Sequence, residues 1–267
     1  MTVRIGTSGF LYEHWRGNFY PAASRGAELE YYATRFDLVE LNVTFYRMPS
    51  RATFQAWANR VPDGFTFAVK ASRYLTHIRR LKDPGEPVAF LLERIRELGP
   101  HLGPVLVQLP PDMPVDLDGM ARTLDAFPPT IRVAVEPRNA SWFCEPFRRL
   151  LSDHGAALCL ADRRGRITPE WRTADWTYLR FHAGRASPAS CYGSAALATW
   201  AGYLRSGWGS NPDAYAFFNN DHRACALRDA STFGRLLVDE GVAVRRIPDV
   251  GDDVLALPAL PRSGRKR

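Results

Sequence analysis

The chain has 267 residues, 46% of them hydrophobic and 24% charged, with a net charge of +7 and an isoelectric point of 9.5. That is enough apolar material for one large core, and it suits a single (β/α) barrel of about 250 residues. No run approaches the roughly 18 apolar residues of a membrane span. The first residues enter a strand pattern at once, so a cytoplasmic protein with no membrane segment and no signal peptide is expected.

Eight short apolar runs follow one another, nearly all ending in a polar or charged residue: Val3–Ser8, Leu38–Asn42, Phe67–Lys70, Val105–Gln108, Val133–Glu136, Leu158–Asp162, Tyr178–His182 and Tyr215–Asn220. Strands apolar on both faces belong to a buried parallel sheet. Helical segments alternate with them. Glu28 to Phe36 precedes the second run, and Ser50 is placed to cap a helix over Arg51–Arg60. Val88, Leu91, Leu92, Ile95 and Leu98 lie at helical spacing within Glu86–Leu98. Asp116 caps a stretch through Phe127, and Gly155 ends one over Glu145–His154. Ser194–Arg205 and Ala224–Glu240 complete the set. The link from Asp162 to Trp176 is short and rich in Arg and Gly, so irregularity is expected around strand six.

This alternation predicts an α/β fold, a single (β/α)8 TIM-barrel-like domain with parallel strands. It is expected to span residues 1–245, with 246–267 as a C-terminal extension ending in a disordered basic tail. Arg262, Arg265, Lys266 and Arg267 carry four of the net charges, leaving 7 − 4 = +3 elsewhere. That tail is the feature that suggests a nucleic-acid or polyanion partner. Cys144, Cys159, Cys191 and Cys225 form no Cys-x-x-Cys pair, which argues against structural zinc and for reduced thiols. Gly6-Thr7-Ser8-Gly9 is no dinucleotide fingerprint, and a P-loop and a His-Glu-x-x-His motif are absent.

Polar residues at the C-terminal ends of barrel strands stand where barrel enzymes do their chemistry. Glu136 and Glu40 each close an apolar run, and a buried carboxylate without a partner is costly. Small Ala134 lies on the same face as Glu136, as does Arg138, its expected partner. Lys70 ends the neighbouring strand to Glu40 and is expected to meet it. Glu136, Glu40 and Lys70 are the catalytic candidates. Arg180, His182, Asn219 and Asn220 fall where barrels hold phosphate. Tyr12, Trp15, Tyr46, Trp142 and Tyr192 form an aromatic rim suited to a sugar ring or base. With Arg138, these nine residues are the binding candidates. No cofactor is firmly implied. A divalent metal would draw on Asp162, Glu136 and Glu40, against the positive charge of Lys70, Arg138 and Arg180.

Ile5-Gly6-Thr7-Ser8-Gly9-Phe10 with Tyr12 and Trp15, Val39-Glu40-Leu41-Asn42 with Thr44-Phe45-Tyr46 and Pro49, Phe67-Ala68-Val69-Lys70, Gln108-Leu109-Pro110-Pro111, Glu136-Pro137-Arg138 with Trp142, and Phe218-Asn219-Asn220-Asp221 together resemble the DUF72, or YecE-like, family. The resemblance runs in order from about residue 3 to about 240 and implies a TIM-barrel-like fold, with no activity attached to it. One departure is Asp229, where the family pattern has Asn.

Three functions compete. The leading one is an enzyme acting on a small polar or phosphorylated, carbohydrate-like substrate at the barrel mouth. The others are a metal-dependent phosphodiesterase or nuclease, and a non-catalytic module binding a ligand or nucleic acid.

Overall fold

The structure is a computed structural model, which describes residues 2–163, 166–186, 189–210 and 213–255. Nine strands occur among these: β1 (Val3–Ser8), β2 (Leu38–Leu41), β3 (Thr66–Lys70), β4 (Leu102–Gln108), β5 (Val133–Glu136), β6 (Ala157–Arg163), β7 (Arg166–Ile167), β8 (Trp176–Ala183) and β9 (Asp213–Phe218). Parallel pairing runs β5-β4-β3-β2-β1-β9-β8-β6, and a β5–β6 pairing closes the ring. The product is an eight-stranded parallel barrel, as the alternation predicts.

The helices are α1 (Glu28–Arg35), α2 (Val43–Tyr46), α3 (Arg51–Ala58), α4 (Gly85–Ile95), α5 (Leu117–Asp125), α6 (Glu145–Asp153), α7 (Ser194–Trp208), α8 (Cys225–Asp239) and α9 (Asp252–Leu255). Their signals act as read. Ser50 Oγ accepts the Thr53 N–H at 3.2 Å, and Asp116 Oδ1 accepts that of Gly119 at 2.9 Å. Gly155 ends α6 with φ 59°. The irregularity at strand six is a hairpin: β7 folds back antiparallel on β6, pairing Ile167 with Asp162, and stands in the place of a crossover helix.

Parity along the strands divides the interior into two apolar cores. Leu38, Ala68, Leu106, Ala134, Ala157, Cys159, Ala161, Tyr178 and Phe217 fill the barrel axis. Val39, Phe67, Val69, Val105, Val107, Val135 and Leu179 face outward, and with the helices they build the larger core. Many of the axial side chains are small because eight strands enclose little room. Gly6 is the limiting case, since a Cβ there would lie 2.2 Å from the Leu38 carbonyl oxygen.

The chain stays packed past residue 245. Arg245 N–H donates to Val3 O at 2.9 Å, Arg246 reaches the Ala33 carbonyl, and Val250 and Val254 are buried. The basic tail Arg262–Arg267 lies outside the described residues. Cys191 and Cys225 are joined in a disulfide, so the expectation of reduced thiols fails at this pair. They lie 34 residues apart in sequence, and only the fold brings them together. Cys159 is a core residue whose thiol is pushed upward by burial, and Cys144 is free and half-buried. No described helix is long and apolar enough to cross a membrane.

Candidate functional site

The same parity carries the strand ends to the axis. Two residues beyond Leu38, Ala68, Leu106, Ala134 and Tyr178 stand Glu40, Lys70, Gln108, Glu136 and Arg180. Arg180 is the centre of the group, 1% exposed between two carboxylates that are 0% exposed. Its Nη2 donates to Glu40 Oε1 at 2.6 Å and its Nη1 to Glu136 Oε2 at 2.5 Å. Charge-assisted bonds of this kind offset the cost of burying all three ions. Tyr178 OH donates to the other Glu40 oxygen at 2.6 Å. Burial pushes the Glu40 carboxyl upward, but Arg180 and these bonds hold it below its ordinary value overall.

Glu136 is more fully engaged still. Gln108 Nε2 donates to it at 2.8 Å, His182 Nε2 lies 3.2 Å away, and Arg163 makes a close ion pair. Its expected partner Arg138 stands farther off, at 3.6 Å. The Glu136–Arg138 ion pair read from sequence is present, and Arg180 and Arg163 join it at closer range as the principal partners. Arg163 was missed because the sixth run was read as ending at Asp162. The strand extends one residue further, and one residue reverses the face. Arg163 therefore points inward, while Asp162 Oδ2 faces Trp200 Nε1 at 3.3 Å on the helix side. Continuing the parity of Cys159 and Ala161 would have found it.

His182 is held as a neutral imidazole. Burial, then Arg180, Arg163 and Arg138, lower its pKa to about 2. Nε2–H donates to Glu136 while Nδ1 accepts from Asn219 Nδ2 at 3.0 Å, which fixes the tautomer.

Lys70 does not meet Glu40, contrary to expectation. Its Nζ sits 4.1 Å over the Phe45 ring, and it has no carboxylate at ion-pair distance among the described residues. Arg180 has taken both carboxylates. Burial first, then Arg180, lower the Lys70 pKa from 10.5 to about 7, with Glu40 opposing and Arg138 and Arg163 adding. A ring face favours the ammonium by about 0.5–2 kcal/mol, which these effects outweigh.

Above this floor opens a cavity of about 690 Å3. Its lining includes Ser8, Tyr12, Asn42, Phe45, Tyr46, Trp57, Lys70, Arg73, His77, Gln108, Arg138, Arg180 and Asn219. Arg73 has no carboxylate partner among the described residues, and Arg138 Nε has no hydrogen-bond partner. Tyr46 is 73% exposed, and Leu11 and Val43 beside it are also exposed apolar groups. The loop after β3 contributes Arg73 and His77 through a wide helical turn, Tyr74–Ile78, closed by the Arg79 N–H to Tyr74 O bond. Such turns recur at functional sites. Arg80, Leu81 and Asp83 follow with positive φ, a costly conformation held by the surrounding fold. Nothing in the sequence pattern announces this loop's path.

The aromatic rim is smaller than the sequence suggests. Tyr12 and Tyr46 line the cavity, with Tyr12 OH donating to Ser8 O at 2.5 Å. Trp15 and Trp142 are wholly buried, their indole N–H groups donating to Asp221 Oδ1 at 2.8 Å and Met113 O at 2.9 Å. Tyr192 is buried too, its N–H bonded to Asp229. Asn220 also serves Asp229, at 2.6 Å, and does not line the cavity. Asp229, the departure from the family pattern, thus accepts one bond from the loop after β8 and one from the loop after β9, and holds both to α8. For metal binding, Asp162 points away from Glu40 and Glu136, whose oxygens are engaged by Arg180, Arg163 and, at one Glu40 oxygen, the Tyr178 hydroxyl. Among the described residues no three His, Cys, Asp or Glu side chains gather as a ligand set.

Fold and site together define a TIM-barrel-like protein with a mixed-charge C-terminal mouth. The family profile described as "Protein of unknown function DUF72" matches residues 4–251. The chain belongs to the DUF72 family. It is 30% identical over 142 residues to the UPF0759 protein YecE of Escherichia coli K12, covering 51% of this chain and 52% of that protein. It is 29% identical over 135 residues to the UPF0759 protein YunF of Bacillus subtilis, covering 48% of each. The matches thus span about half the length of these curated relatives. A DUF72 family protein of Thermotoga maritima superposes with a TM-score of 0.78 at 27% identity, covering 89% of this chain and all of that one. One from Enterococcus faecalis gives 0.73 at 19% identity, covering 89% and 96%, a likeness of fold.

Proposed function

We propose that this protein is an enzyme that binds a small anionic substrate with a planar or ring-shaped part in the barrel mouth, and that Lys70 moves the proton. One observation carries this reading. The two carboxylates of the floor are consumed by Arg180 and Arg163, while Lys70, Arg73 and Arg138 face the cavity as surplus positive charge. A phosphate or carboxylate would neutralise that surplus, and Tyr46, Trp57 and Phe45 would cover an attached ring. An amine with a pKa of about 7 is suited to general acid–base work at neutral pH. Glu136, with both oxygens accepting several bonds, serves this reading as the charge anchor, and neutral His182 orients it. A bare divalent cation would have to displace Arg180 to reach either carboxylate.

Calorimetric titration with inorganic phosphate and a panel of sugar phosphates tests the reading. Saturable binding that falls ten- to a hundredfold in Arg138→Gln is expected, the scale of a charged hydrogen bond of about 1.5–3 kcal/mol. Turnover of a bound member should vanish in Lys70→Met with binding largely kept. No saturable binding at low salt, or full turnover by Lys70→Met, overturns it.

A further inference from the structure

The position of Lys70 supports more than proton transfer. Basic residues in this chain are overwhelmingly arginine: of 35 Lys and Arg, only Lys70, Lys82 and Lys266 are lysine, leaving 32 arginines. Lys82 is exposed and Lys266 lies outside the described residues, so Lys70 is the one lysine placed in the described interior. An arginine cannot give up its proton at neutral pH, whereas a desolvated lysine can become a free amine. The ordinary way of holding a buried lysine is to give it a carboxylate. Here Arg180 spans Glu40 and Glu136, and Nζ is left against the Phe45 ring, 4.1 Å from its centre, at the edge of the cavity. The neighbouring guanidinium groups of Arg180, Arg138 and Arg163 disfavour its ammonium form. Desolvation beside other cations is one of the arrangements that makes a lysine nucleophilic.

We infer that Lys70 forms an imine with a carbonyl-bearing anionic substrate, a 2-oxo acid or a phosphorylated ketone or aldehyde, whose acid group is met by Arg138 and Arg73. The inference rests on the anion-binding reading above and adds the reacting group to it. In the step, Nζ adds to the carbonyl carbon to form a C–N bond, and the carbonyl oxygen takes a proton to become a hydroxyl. That oxygen then leaves as water, the two protons of the neutral amine having left with it in net terms, and a C=N bond remains. No oxidant or reductant is needed. His77 lines the same cavity, with its ring edge-on to Phe45 at 4.9 Å, and is placed to relay the proton between nitrogen and oxygen. Burial and nearby cations lower its pKa, which keeps it able to accept a proton at neutral pH.

Pyruvate and dihydroxyacetone phosphate are the probes. The intact protein is incubated with each at pH 7, reduced with sodium borohydride to fix any imine as a secondary amine, and mapped by peptide mass spectrometry. The expected result is an adduct on Lys70 at least tenfold above that on Lys82 or Lys266, suppressed by excess inorganic phosphate. Lys70→Arg, with unchanged circular dichroism, should lose it. Because sites are compared within the wild-type chain, the result does not depend on any variant folding. Adducts spread evenly over the three lysines, or none on Lys70, overturn the inference. If phosphate still binds by calorimetry in that case, the anion-binding reading survives; if it does not, both fall.

Discussion

Replacing Arg180 with methionine would leave two wholly buried carboxylates facing one another. Glu136 would keep Gln108, Arg163 and His182, whereas among the described residues Glu40 would keep only the Tyr178 hydroxyl and the more distant charge of Lys70. Removing one member of a buried ion pair costs about 3–5 kcal/mol. At about 2–4 °C of melting temperature per kcal/mol in a domain approaching this size, Arg180→Met should melt roughly 6–20 °C lower. The deficit should also depend on pH. Without Arg180 the Glu40 carboxyl rises above its unfolded value, so the folded variant binds the extra proton. Stability is then lost as pH rises through that raised value, and the deficit is smaller at pH 5 than at pH 8. Urea denaturation followed by circular dichroism at the two pH values measures both effects. Adding Glu40→Gln and Glu136→Gln to Arg180→Met removes the stranded charge and should recover a large part of the loss. A loss below about 1 kcal/mol, typical of an exposed pair, or a triple variant no more stable than the single one, refutes the idea that Arg180 neutralises buried charge.

Four further outcomes are expected. Lys70 has a folded pKa of about 7, below its unfolded value, so the unfolded chain binds more protons between there and about pH 10.5. Stability should climb with pH across that window in the wild type more steeply than in Lys70→Met; equal slopes in urea titrations would contradict this. Glu40→Gln should lower the Lys70 pKa further and Arg138→Gln should raise it, read from the pH dependence of amine labelling, and the opposite signs would be fatal to the assignment. Burial raises Asp229 from 3.8 to about 6. Its ionisation therefore costs stability as pH rises through that range, so Asp229→Asn, whose oxygen can accept the same two bonds, should be neutral near pH 4. Above pH 7 it should stabilise by on the order of 2 kcal/mol; no difference between the two pH values counts against it. The Cys191–Cys225 link closes a 34-residue separation, which corresponds to roughly 3–4 kcal/mol of chain entropy. Reductant should lower the melting temperature of the wild type and leave Cys191→Ala/Cys225→Ala unmoved, and four titratable thiols in the unreduced, unfolded chain would disprove the link.

Much of the barrel could be read in advance because each strand repeats the same physical rule. An apolar run too short for a helix, closed by a polar residue, places that residue at the mouth, and side-chain alternation says which way it points. Glu40, Lys70, Glu136 and Arg180 converge for that reason alone. Pairing was less legible, since it depends on distances across the barrel rather than along a strand. Arg138 is two residues from Glu136 in sequence, yet Arg180 and Arg163 reach it first. The tryptophans misled for a different reason. A mouth loop must also cover the outer core, and Trp15 and Trp142 turn inward because Asp221 and the Met113 carbonyl satisfy their indole N–H groups there. Arg73 and His77 carried no signal, because the loop that delivers them is shaped by backbone conformations that its residue types do not favour.

The cavity is one-sided. Apart from Trp57 on α3 and the floor residues Gln108, Arg138, Arg180 and Asn219, its wall comes from residues 8–12, 41–46 and 70–77, which follow β1, β2 and β3. Across the axis, the loop after β8 is stitched to the segment after β9 by the disulfide and by the Asn220 Nδ2 bond to Ser190 O. Ligand preference and barrel integrity are therefore written in different stretches of the chain. Exchanging the three wall segments between two barrels of this build should carry the choice of ligand across while the charge-locked floor and the stitched side pass unchanged.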